Sequence, residues 1–140
     1  MIGSNEKVVR KTIVFDGGAG KGLSGSPIPL FTVNGSVYVL VVAFCTESTA
    51  VSGAATIEVG ISGATATLIA QTLASLILNG LVWFDTSPAA IEPQASLGGA
   101  FIAGGADIIG TVGTANITDG TVTWCCFWTP LSDDGNVIAA

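Results

Sequence analysis

An all-β fold, an antiparallel β-sandwich of jelly-roll type with an extended N-terminal arm and at most one short helix, is what this 140-residue sequence predicts. Short apolar or alternating runs recur from one end to the other, and clusters of Gly, Ser, Asn, Asp and Pro separate them. About seven or eight such runs fit two packed sheets, or a related barrel. The length is that of one domain, enough to bury roughly two thirds of the unfolded surface around a single core.

Taken in order, Val8 to Phe15 is the first strand candidate, and a Gly-rich loop from Gly17 to Gly25 follows it. Ser26-Pro27 breaks the chain, while Pro27 and Pro29 suit an edge or an extended approach. The division expected is an arm and Gly-rich hinge over residues 1–25 and a β-sandwich body over residues 26–140. Phe31 to Val33, Asn34-Gly35 and Ser36 to Thr46 read as a hairpin, because Asn-Gly readily supplies the positive φ of a tight turn. Its second arm is apolar on both sides. Val37, Val39, Val41, Ala43 and Cys45 lie on one face, with Tyr38, Leu40, Val42 and Phe44 on the other, so it should be central and covered twice.

Ala55 to Ile61 alternates, with Ile57, Val59 and Ile61 expected inward. Leu68 to Asn79 is ambiguous: Ile69, Leu73, Leu76 and Ile77 fall at helical spacing, and a bent strand competes. Leu81 to Phe84 reads as extended. Residues 86–105 read as a long loop with one short strand near Phe101 and Ile102. Ile108 to Thr114 and Thr121 to Pro130 read as a last hairpin turning near Asp119-Gly120, with Val122, Trp124, Cys126 and Trp128 sharing one face. The tail from Ser132 to Ala140 is polar, then small and apolar.

The charges are few and unevenly placed. Only 10% of residues are charged, against about 25% in an ordinary soluble domain, and the mean hydropathy is +0.71. Such a chain suits a membrane or burial of its outside against other protein copies. Lys7, Arg10, Lys11 and Lys21 against Glu6 and Asp16 give +2 over residues 1–21, and eight carboxylates give −8 beyond. A basic arm on an acidic body suits an acidic neighbouring surface; the competing reading is a short terminus that collects charge for solubility. Nucleic acid is not expected as a partner, because an acidic body repels phosphate. Val59 to Phe84 runs 26 residues without a charge, but its glycines, threonines, Gln71 and Asn79 argue against a membrane span. The N-terminus, with Glu6 among its cations, does not read as a signal peptide.

Catalytic chemistry finds little footing. The absence of histidine removes the commonest general base and the usual serine triad. Glu47, Glu58, Asp85, Glu92 and Asp107 lie in separate segments that no spacing pairs, so no enzyme is expected. Gly20-Lys21-Gly22-Leu23-Ser24-Gly25 matches GxGxxG formally, yet it leads into Ser26-Pro27 rather than a helix. Asp133-Asp134-Gly135-Asn136 lacks the alternating ligands of a calcium loop. Cys45, Cys125 and Cys126 lack zinc or disulfide spacing and read as buried free thiols. No cofactor and no metal is expected.

A basic arm, a glycine hinge and a charge-poor sandwich resemble the capsid decoration, or cement, proteins of tailed bacteriophages. The stretch from Ile109 to Trp124, IGTVGTANITDGTVTW, is similar to small phage virion proteins of that kind. The resemblance implies a structural virion protein on the capsid exterior, assembled in the host cytoplasm, commonly as a homotrimer, that clamps neighbouring major capsid subunits. Lys7, Val8, Arg10, Lys11, Ile13, Phe15 and Lys21 are the residues expected to make that contact. Deleting residues 2–21 is then expected to abolish capsid binding and leave a folded body. The alternative is a fibre or tail-tip domain binding host glycan, with Trp83, Trp124 or Trp128 stacked on sugar rings, although core positions are the expected place for all three.

Overall fold

The computed structural model describes residues 7–51, 53–93 and 98–140. Among the described residues ten strands form two antiparallel sheets, with one 3-10 turn at Ala74–Leu76. The first sheet has the order β1 (Lys7–Val14), β9 (Ile117–Pro130), β3 (Val37–Val51), β6 (Val82–Trp83), and β7 (Ala100–Ile102) also pairs with β3. The second has the order β10 (Asn136–Ala139), β2 (Ile28–Asn34), β8 (Ile108–Gly113), β4 (Thr56–Ile61), β5 (Ala64–Leu73). Five pairings are nested in sequence: β1 with β9, β2 with β8, β3 with β6, β3 with β7, and β4 with β5. The chain is therefore a long antiparallel ribbon folded over on itself.

The long β3 and β9 form the spine of the first sheet, in register from Val37↔Pro130 to Cys45↔Val122. Val37, Val39, Val41, Ala43 and Cys45 are buried, as are Val122, Trp124, Cys126 and Trp128, so both strands present the inner face that their alternation predicts. Across the gap they meet Ile28, Leu30, Ile57, Val59, Ile69, Ile108 and Val112 of the second sheet in one core. Trp83, Trp124 and Phe15 stack edge to face, at 6.4 Å between the two indoles and 6.2 Å between Phe15 and Trp124.

Both expected hairpins are corrected. Asn34-Gly35 is a turn, with Gly35 at φ +63°, but it carries the chain from β2 in one sheet to β3 in the other. Likewise β8 and β9 do not pair; the chain crosses between the sheets at residues 114–116, and Asp119-Gly120 lies inside β9. Turn chemistry sets the local reversal, whereas partner choice is set by which strands must cover the tryptophans. The ambiguous segment is strand β5 followed by the 3-10 turn. Ile69 and Ile77 are buried while Leu73 and Leu76 are half exposed, which defeats a single helical face. The C-terminal tail contributes a strand, β10, which pairs with β2 through Val137↔Val33.

Within the stretch expected as an extended N-terminal arm, β1 is a strand of the sandwich, and residues 1–6 of that stretch lie outside the described residues. Lys7 to Val14 pair with β9 over their whole length, and Ile13 and Phe15 belong to the core. The Gly-rich loop is tied down rather than a hinge. Lys21 donates its N–H to Gly18 and accepts from Asp16 and Gly17, and Ile117 donates to Gly22 at 2.9 Å. Ser24 N–H also reaches Asn116 Oδ1 at 2.9 Å. Gly22 adopts φ +114°, and a Cβ there would lie 2.0 Å from Ile117 O, so only glycine fits. Among the described residues no helix is long and apolar enough to cross a membrane.

Candidate functional site: a basic edge strand

Three of the chain's four cations lie on β1, the edge of the first sheet, and Lys21 lies in the loop that follows. Which groups β1 offers outward follows from one hydrogen bond. Phe15 N–H donates to Gly120 O at 2.9 Å, next to the opposed pair Val14↔Thr121. Antiparallel pairs alternate between those that exchange both backbone bonds and those that exchange none. Lys7, Val9, Lys11 and Ile13 therefore spend their backbone groups on β9, and Val8, Arg10, Thr12 and Val14 direct theirs away from it.

Side chains of β1 alternate with the same period. Lys7, Lys11 and Ile13 oppose Trp128, Trp124 and Val122, which face the core, so these three lie on the inner side of the edge. Val8, Arg10, Thr12 and Val14 oppose Phe127, Cys125, Thr123 and Thr121 on the outer side. Each cation also has a local contact. The Lys7 ammonium sits 4.9 Å over the Trp128 ring, and Lys11 donates to the carbonyl oxygen of Ala140. Arg10 stands beside the Cys125 thiol. Thr12 and Thr123 share a hydroxyl hydrogen bond of 2.7 Å that pins the strand.

Of the seven expected contact residues, Lys7, Val8, Arg10, Lys11 and Lys21 are at least partly accessible along this edge. Ile13 and Phe15 are corrected: at 7% and 2% exposure they are core residues that anchor the edge, because the inner face of β1 must cover Trp124. Trp83 and Trp124 are wholly buried and Trp128 nearly so, the core positions expected for all three in preference to sugar stacking. Val14, not among the seven expected contact residues, is 59% exposed and directs its own N–H and C=O away from β9. Its place was legible from the alternation of β1 alone.

The rest of the surface offers less chemistry. A shallow cavity of about 280 Å³ is lined by Thr56, Gln71, Thr72, Leu73, Leu76 and Thr86, with no charged group among them. Among the described residues, no three His, Cys, Asp or Glu side chains gather as a metal site. The three cysteines are free and buried. Burial pushes the Cys45 and Cys125 thiols up, outweighing the Arg10 charge beside Cys125, and pushes Cys126 from 9.0 up to about 12. Native protein at neutral pH should therefore react slowly with iodoacetamide and rapidly once unfolded in urea. A raised folded-state pKa means the protonated thiol favours the fold. Stability from Cys126 is fully present below pH 9.0 and is lost as pH rises toward about 12, measurable as a falling urea midpoint.

Comparison with protein-family models, with curated proteins and with solved structures finds no match to this chain. The edge strand and the nested sandwich stand on their own geometry.

Proposed function

We propose that this chain is a structural virion protein that decorates and cements a bacteriophage capsid, binding neighbouring major capsid subunits through β1 and associating with its own copies as a trimer. The observation that carries the reading is the segregation of charge: every lysine and arginine lies between Lys7 and Lys21, on or beside one exposed sheet edge of a chain whose net charge is −6. Such an edge is attracted to an acidic lattice while the remaining surface repels nonspecific contact. The nested strand pairs of the two-sheet sandwich give a rigid frame for it. Exposed apolar side chains, with Phe101 at 75% and Ile91 at 85%, supply area that is buried favourably when copies meet.

The test is to mix purified protein with undecorated phage heads and image the occupancy. Reversing the edge charge in a Lys7→Glu, Arg10→Glu, Lys11→Glu variant should lower occupancy at least about tenfold while the thermal transition stays cooperative. Binding of the native chain should also weaken as salt is raised. Full occupancy by the folded triple variant would overturn the reading. The glycan alternative has no support from the three tryptophans, whose faces are taken up by the core.

A further inference from the structure

We infer that β1 is a strand-capture site: it takes an extended, acidic segment of a partner protein as an additional antiparallel or parallel strand of the first sheet. The inference deepens the capsid reading and rests on it for the partner's setting, though the capture itself stands on the backbone. Val8, Arg10, Thr12 and Val14 direct four N–H and four C=O groups away from β9, and among the described strands β1 pairs with β9 alone. A strand edge of eight residues with those groups outward is a template for main-chain recognition.

The side chains select what is captured. Arg10 stands on the outer side of the edge, between exposed Val8 and Val14, and Lys7 and Lys11 stand on the inner side. An incoming strand thus meets cations on both of its faces, with apolar neighbours for its alternate positions, so acidic residues interleaved with β-branched ones fit. A second copy of β1 fits badly. Antiparallel self-pairing through the outward groups requires even-numbered residues to oppose one another. The two registers that retain most of the strand set Lys11 against Lys11 or Arg10 against Arg10, and like charges directly opposite are destabilising. The same cations that block self-pairing invite an acidic strand.

The test uses the full chain and an acetylated, amidated peptide of about ten residues that alternates Glu with Val and Thr, long enough to span the edge. Its lysine-for-glutamate counterpart is the control, and binding is read by fluorescence anisotropy and by amide hydrogen exchange. The expected result is binding of the acidic peptide, with slowed exchange at Val8, Arg10, Thr12 and Val14. Thr12→Pro removes one outward N–H without touching a backbone bond to β9, and should weaken binding at least about tenfold. Thr12→Val keeps that N–H, loses the bond to Thr123, and should bind as the native chain does. No binding of the acidic peptide, equal binding of the lysine peptide, binding unchanged by Thr12→Pro, or dimerisation of the chain through these same amides would each overturn the inference. If Thr12→Pro loses the peptide yet still coats phage heads, strand capture stands and its role in capsid binding falls.

Discussion

Removing residues 2–21 is expected to unfold the domain or drive it into aggregates, and not to leave an intact body. The segment supplies Phe15 and Ile13 to the core, and truncations of such side chains cost about 3–5 and 2–5 kcal/mol respectively. Together these approach the whole stability of a small domain, about 5–15 kcal/mol. The loss continues beyond the core: Phe15 N–H leaves Gly120, and Thr121 to Trp128 of β9 become an edge. That edge carries Trp124, Cys126 and Trp128 on its inner face with nothing to cover one flank, a template for association. Circular dichroism and sedimentation of the truncated chain decide the matter. A monomer with native near-ultraviolet signal would contradict it.

Trp124→Ala is the second large effect, expected to cost about 3–5 kcal/mol in urea unfolding at an unchanged slope. Trp124 is wholly buried, opposes Ala43 on β3 and Lys11 on β1, and contacts both Trp83 and Phe15 edge to face. Its removal leaves a void that several strands border, and a sandwich held by two sheets collapses poorly into such a gap. Trp124→Phe should cost less, about 1–2 kcal/mol. The indole Nε1 is buried without an acceptor among the described residues, so losing it forfeits no hydrogen bond and relieves a desolvated donor. A loss for phenylalanine equal to that for alanine would show that shape alone, rather than volume, holds the cluster.

Together these effects connect stability to function. The edge that the proposed partner meets is held from behind by Ile13, Phe15 and the Thr12–Thr123 hydroxyl pair. Its outward backbone groups, by contrast, lie on even-numbered residues outside the hydrophobic core. Charge and backbone variants at Arg10 and Thr12 can therefore alter binding while the fold persists, whereas variants at Ile13 and Phe15 cannot separate the two.

Much of this was legible in the sequence. Strict alternation in Val37 to Cys45 and Val122 to Trp128 determined which side chains share a face, because a strand has only two, and burial in the structure then decided which of those faces enters the core. The position of four cations in the first 21 residues determined where the chain is basic. Absence of histidine determined which catalytic mechanisms have no participant. Only the tertiary structure decided that β2 and β3, and β8 and β9, belong to opposite sheets, since a turn signal specifies a reversal and says nothing of which ladder receives the next strand. It likewise decided that the basic segment is a sheet edge with buried Ile13 and Phe15, because the need to cover Trp124 arises from residues more than a hundred positions away. Local pattern fixes the face of a strand; long-range packing fixes its neighbour.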